Sequence, residues 1–320
     1  MNAIGGYFGL ELNRQSEYHT DAIRLNTGRN ALEYLLIVRK YKKIYLPYYT
    51  CDVLLEPIKK LGLSYEFYSI DENFEAIFNF SKIGIDECFL YTNYFGIKDN
   101  FISKLRIKCA NLIVDNAQAF YSKPLSNVDT FYSCRKFFGV ADGSYLYTNK
   151  TIEAELEVDI SYNRFEHLLR RVDVSAEDGY PYFVDNDKSL SNLPILKMSN
   201  LTQRILESID YKQIATIWRE NYQYLNRALR NLNQIQFELN SQQVPMVYPF
   251  YSSDLSLRKR LIESRVYTAQ YWPNVLEWVA EDSIEWQFTT NIIHLPIDRR
   301  YSKADLDKII TIISHEYSRQ

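Results

Sequence analysis

The sequence predicts an α/β protein: a large, mostly parallel mixed sheet flanked by helices, followed by a small C-terminal α/β lobe. Three observations predict it. Short apolar runs end abruptly in an acid or a proline, as in Leu112-Ile113-Val114 before Asp115 and Ile44-Tyr45-Leu46 before Pro47, the habit of strands buried on both faces. Such runs alternate with helical stretches from Val53 to Asp129, the rhythm of βαβ units with right-handed crossovers. The chain has 320 residues, beyond the ~250–300 at which a single core stops growing, so a second lobe is expected. The large domain is expected over 1–210 and the small one over 211–320.

Taken in order, Gly5-Gly6-Tyr7-Phe8-Gly9 is too rich in glycine for a regular element and reads as an arm. Asn26 or Thr27 caps a helix whose apolar face is Ala31, Leu32, Leu35 and Leu36. Gly28 in its first turn lets an anion approach free backbone N–H groups. Strands follow at Ile44–Pro47, Tyr65–Tyr68 and Cys88–Tyr91, and then at Leu112–Val114, Phe131–Ser133 and Ser144–Tyr147. Residues 151–190 turn polar, with a turn at Gly179-Tyr180-Pro181-Tyr182. Arg164, Arg170 and Arg171 are spaced as the basic side of one helix, solvated or in contact with a nucleotide diphosphate. A long helix is expected from Gln203 to about Leu232. The C-terminal third reads as strand Pro245–Phe250, helix Ser256–Ser264, an apolar turn at Tyr271-Trp272-Pro273, strand His294–Ile297 and a last helix Lys303–Ser314.

Composition excludes several classes. A formal net charge of −3 offers no broad basic face, so nucleic acid is not an expected partner. No uncharged apolar run approaches ~18 residues, and the N-terminus lacks a basic region followed by an apolar core, so neither membrane span nor leader is expected. Cys51, Cys88, Cys109 and Cys134 show no C-x-x-C spacing; they read as reduced thiols of a cytoplasmic protein, with no metal site.

The chemistry concentrates in LIVDNAQAFYSKPLSNVDTFYSCRKFFGVADGSYLY, from Leu112 to Tyr147. In doubly wound sheets, ligands sit at the carboxyl ends of the strands. An acid (Asp115), an amide (Gln118), a hydroxyl (Ser133) and an amine (Lys136) would converge there. These are the groups a pyridoxal phosphate (PLP) site requires: an amine to link to the aldehyde, a carboxylate to keep the ring nitrogen protonated, and donors for the phenolic oxygen and phosphate. On residues alone, Asp115 also reads as a helix cap or metal ligand, Lys136 as a solvated surface residue, and His294 as a structural histidine on an apolar strand.

VDNAQAF followed by YSCRKFFGVADGSYLY resembles the DegT/DnrJ/EryC1/StrS family of PLP-dependent sugar aminotransferases, and weaker similarity extends from Gly5 to the last helix. The resemblance implies PLP-dependent transferase fold type I and a homodimer. It implies transfer of an amino group from an amino acid, glutamate, to a keto group of a nucleotide-linked deoxysugar, for surface polysaccharide or glycoside biosynthesis. Lys136 then takes the place of the Schiff-base lysine, Asp115 that of the pyridinium partner, Gln118 the phenolic-oxygen contact and Ser133 a phosphate ligand. Gly28, Arg29 and Asn30 match the segment that cradles the PLP phosphate. By strict spacing the ring-stacking aromatic falls on Cys51, with Tyr49 the nearest substitute and Tyr94 another. Tyr94 and Asn200 are carried over as substrate contacts, Asn200 from a segment that reaches across the dimer.

Two departures qualify this expectation. Lys136 follows Ser133 by three residues, where the commoner family pattern has five, and Cys51 replaces an aromatic. They leave open a catalytically silent relative that binds a sugar nucleotide or a partner as a regulator. A related dehydrating class carries histidine in place of the lysine, so Lys136 argues against it.

Overall fold

A computed structural model describes residues 4–317. Its framework is an eight-stranded sheet in the order β1-β8-β7-β6-β5-β2-β3-β4. The strands are β1 (Ile23–Leu25), β2 (Lys43–Pro47), β3 (Ser64–Ile70), β4 (Ala76–Ile77), β5 (Glu87–Thr92), β6 (Leu112–Asn116), β7 (Asp129–Ser133) and β8 (Ser144–Tyr147). The pairs β2·β3, β2·β5, β5·β6 and β6·β7 are parallel. Those of β1·β8, β7·β8 and β3·β4 are antiparallel. Central strands β5 and β6 are almost wholly buried, which is why they read as unbroken apolar runs.

Helices α1 (Gly28–Arg39), α2 (Leu55–Lys60) and α3 (Asp99–Lys108) fill the crossovers. The Thr27 side chain accepts from the Asn30 N–H and so starts α1. In the polar stretch, Arg164 lies in a 3₁₀ turn ahead of α4 (Glu166–Asp173), and α5 (Ala176–Ser189) follows. The turn expected at Gly179–Tyr182 is therefore helix. Ser175 caps it, and a Cβ on Gly179 would stand 2.7 Å from the His167 carbonyl, so only glycine lets α5 lie this close to α4. Of the three arginines expected on one helix, Arg170 and Arg171 lie on α4 and Arg164 does not. Arg164 pairs with Asp159 at 2.6 Å, and Arg170 with Glu166 and Asp178.

The expected long helix is two, α6 (Asn200–Leu206) and α7 (Tyr211–Leu229), broken where Asp210 caps the second. A two-stranded antiparallel sheet, β9 (Val247–Tyr251) with β10 (Ile292–Pro296), forms the C-terminal lobe. It is accompanied by α8 (Leu257–Glu263), α9 (Val275–Trp278), α10 (Ile284–Asn291) and α11 (Lys303–Tyr317). No helix among the described residues is long and apolar enough to cross a membrane. All four cysteines are free.

The interior is unusually phenolic. Four buried tyrosine hydroxyls each donate to a backbone carbonyl: Tyr68 to Leu90, Tyr91 to Phe74, Tyr94 to Tyr49 and Tyr132 to Ser122. Near the β8 turn, the buried Asp142 carboxylate accepts from the Ser199 N–H and hydroxyl and from the Thr202 hydroxyl, which staples the start of α6 to the sheet.

Candidate active site

The carboxyl ends of β5, β6 and β7 share one edge of the sheet. Asp115 is held there by register, with Thr92 of β5 on one side and Phe131 of β7 on the other. It is 6% exposed, and its Oδ1 accepts from the Ala117 N–H at 2.8 Å. Burial pushes its carboxyl up to about 6, against the Ala117 hydrogen bond and the nearby Lys136 charge, both of which pull it down. Gln118 is 1% exposed. Its Oε1 accepts from the Phe95 N–H at 2.9 Å, which fixes the amide orientation. Its Nε2 is buried with no partner, an unmatched donor at the sheet edge.

The turn that holds Gln118 depends on one glycine. Gly96 has φ +76°, and a Cβ there would lie 3.0 Å from the Gln118 carbonyl oxygen and 3.1 Å from that of Val244. Gly96→Ala is therefore expected to destabilise the chain by about 1–3 kcal/mol in urea unfolding. A loss below a few tenths would show that the turn relaxes freely.

Lys136 ends a short 3₁₀ turn after β7 and is exposed. Its Nζ lies 5.9 Å from the Tyr271 ring centroid. Its charge reaches the Asp115 carboxyl, the Cys51 thiol and the His294 imidazole. Tyr271 stacks on His294 with centroids 3.7 Å apart and planes 28° apart. Cys51 is half-buried, and burial raises its thiol pKa while Lys136 lowers it. The half-buried Ser133 closes β7, opposite Ser144 of β8.

Tyr49 and Tyr94 are both 0% exposed. The Tyr49 ring packs against Tyr94, Phe74, Phe288 and, edge-on at 4.7 Å, Trp272. The aromatic ring facing the lysine comes instead from Tyr271, which sequence reasoning noted only as part of an apolar turn. Asn200 is exposed as the first residue of α6.

At the start of α1, Gly28 and Arg29 lie on the helix's positive end. Asn30 is engaged within the protein: its side chain accepts from the Thr27 hydroxyl at 2.6 Å and donates to Leu193 O at 2.9 Å and to Glu33. Arg29 is nearly buried, 3.8 Å from Glu56. Arg135, paired with Asp187 at 3.0 Å, has its pKa lowered by burial and by the like charge of Arg29. Arg29 and Arg135 thus act on each other electrostatically near the N-terminus of α1, each guanidinium facing one carboxylate, Glu56 and Asp187. Arg135 escaped the sequence reading because only the fold brings it near Arg29. Among the described residues, no group of three or more His, Cys, Asp or Glu side chains could hold a metal ion.

No family model matches the chain, and no curated relative does. Solved structures do. A DegT/DnrJ/EryC1/StrS aminotransferase from Brucella abortus superposes with TM-score 0.63 at 16% identity, covering 92% of this chain and 85% of that one. A sugar aminotransferase from Micromonospora echinospora gives 0.61 at 13% identity, covering 91% and 86%. A Bacillus subtilis protein with bound cofactor PMP gives 0.63 at 15%, covering 92% and 72%. The chain therefore has the fold of the DegT/DnrJ/EryC1/StrS aminotransferases, PLP-dependent transferase fold type I.

Proposed function

We propose that this chain is a cytoplasmic PLP-dependent aminotransferase. It moves an amino group from an amino acid, glutamate, to a keto group of a nucleotide-linked deoxysugar, in surface polysaccharide or glycoside biosynthesis. Residues 1–210 hold the cofactor and 211–320 close over it. One observation carries the reading: on this fold, the charge of an exposed lysine acts on a buried acid, and three residues after that acid a buried amide keeps an N–H₂ with no partner.

The residues fit PLP. When bound, the cofactor supplies an aldehyde for the lysine amine and a ring that withdraws electrons. Lys136 Nζ would hold the aldehyde and, when free, would move the proton at the donor α-carbon. The Asp115 carboxylate would keep a ring nitrogen protonated. Gln118 Nε2 gives its unmatched hydrogen to the phenolic oxygen. Ser133, Arg29 and the backbone at Gly28 receive the phosphate, with Asn30 fixing the loop that presents them.

A homodimer fits the surface. Tyr7, Phe8 and Leu10 of the N-terminal arm and Leu169, Val172 and Val174 at α4 are largely exposed in the single chain. A second copy would cover them. Asn200 remains a substrate contact in this reading, through the partner subunit, whereas Tyr94 is withdrawn from that role because it is wholly buried with its hydroxyl on Tyr49 O.

Borohydride reduction of the protein mixed with PLP tests the proposal. The expected result is a covalent adduct on the peptide carrying Lys136, found by mass spectrometry, with the yellow colour lost on reduction. No adduct at Lys136 would favour the silent relative, the reading that Cys51 at the stacking position supports.

A further inference from the structure

Behind the sheet, on the face turned away from Asp115, lies a cavity of about 380 Å³. Val114 and Asn116, the neighbours of Asp115 along β6, both line it, and side chains alternate between the two faces of a strand. Its volume falls within the range of small-ligand pockets and leaves room for one sugar-sized ring. Asp99 lines the cavity from the start of α3. Its carboxylate accepts from Asn93 Nδ2 at 2.8 Å, and Ser122 and Gln243 also donate to it. The same Asn93 amide donates to Asn116 Oδ1 at 3.0 Å and to Ser122 Oγ at 3.3 Å, which fixes the cluster. All of these donors are neutral. No lysine or arginine pairs with Asp99 among the described residues, and burial outweighs the hydrogen bonds and raises its pKa. Lys123 also lines the cavity, but it is exposed and likewise forms no ion pair among the described residues. The Tyr18 and Tyr121 rings, 5.2 Å apart and crossed at 72°, add an aromatic wall.

We propose that this cavity is a second small-molecule site, on the opposite face of the sheet from Asp115, and that it takes a hydroxylated primary amine of monosaccharide size with its ammonium group on Asp99. A half-buried negative charge without a counter-ion is costly, and an ammonium supplies the missing charge together with three N–H donors. Aromatic faces attract the same cation. Side-chain amides and hydroxyls both give and accept hydrogen bonds, as a sugar hydroxyl does. The start of α3 carries a partial charge of roughly +0.5. The full negative charge of Asp99 outweighs it, so the cavity still favours a cation. A phosphate or carboxylate ligand would meet that carboxylate with only the exposed Lys123 to offset it. The cavity belongs to the chain itself and needs neither the cofactor nor the aminotransferase reading.

The probe is glucosamine, titrated by calorimetry into the full chain as purified, with glucose as its neutral counterpart. Wild type is expected to bind glucosamine at least about tenfold more tightly than glucose. Asp99→Asn is expected to weaken glucosamine binding about 10–100-fold, the worth of hydrogen bonds to a charged group, and to leave the affinity for glucose in place. Ser103→Phe sets a ring in the cavity from an exposed position on α3, so the fold stands, and it is expected to abolish binding of both sugars. It decides the matter if Asp99→Asn fails to fold. Unchanged glucosamine affinity in Ser103→Phe or in a folded Asp99→Asn overturns the proposal. So does wild-type protein that binds glucose as tightly as glucosamine, or glucosamine not at all. If glucosamine binds through Asp99 while borohydride fixes no PLP on Lys136, the second site stands and the aminotransferase reading falls.

Discussion

Lys136→Ala is expected to remove amino transfer while leaving the fold intact. The side chain is exposed, so truncation opens no cavity, and the effect on stability stays within about 0.5 kcal/mol. Loss of proton transfer alone is expected to slow the reaction about 10²–10⁴-fold. Loss of the covalent hold on the cofactor adds to it. The variant should still bind PLP through Asp115, Gln118 and the α1 edge, but reversibly, so that dialysis removes it and borohydride fixes nothing. Turnover of donor glutamate by Lys136→Ala at more than about a tenth of the wild-type rate would mean that another amine does the work.

Asp115→Asn is expected to act in opposite directions with and without cofactor. Folding raises the Asp115 pKa from 3.8 to about 6. The folded chain thus binds this proton more tightly than the unfolded chain does. The group's stabilising share is complete below pH about 4 and is lost as pH rises through about 6. At neutral pH the buried carboxylate therefore costs about 3 kcal/mol. Asparagine keeps an oxygen for the Ala117 N–H and has no charge to bury. Without cofactor, the variant should match wild type near pH 4 and exceed it by about 3 kcal/mol at pH 7 in urea unfolding. His19 and His294, whose pKa values burial lowers to about 4 and about 3, titrate alike in both proteins and cancel in the difference. With PLP the order reverses, because only the carboxylate offsets the charge of a protonated ring nitrogen. A stability difference that does not change with pH would mean that Asp115 is not desolvated.

The parts of the fold legible in the sequence are those where local signals agree with packing. Ile44–Pro47 and Leu112–Asp115 were readable as strands because burial on both faces leaves no polar alternation. A cap before α1 was readable at Asn26 or Thr27, since either side chain can accept from the first turn, and the fold uses Thr27. Gly179 and Pro181 misled, since their turn chemistry is overridden by the close approach of α5 to α4. Asp115, Gln118, Ser133 and Lys136 were nameable together because one short segment carries them all, and the structure sets them along one sheet edge. Tyr271 was not, because it reaches Lys136 only through the folding of a lobe more than a hundred residues away in sequence. Tyr49 marks the limit at a single position. The family spacing falls on Cys51 and offers Tyr49 only as the nearest aromatic, and the rings around Tyr49 decide which way it turns.

The phenolic interior has a consequence for how this protein can change. A leucine core accepts many rearrangements of equal volume, whereas each hydroxyl of Tyr68, Tyr91, Tyr94 and Tyr132 answers to one carbonyl. A strand that slipped by a single residue would strand several of these groups in a dry interior at once. The scaffold is thereby locked into one alignment, and new substrate preferences have to be acquired in the peripheral loops, leaving the sheet beneath them untouched.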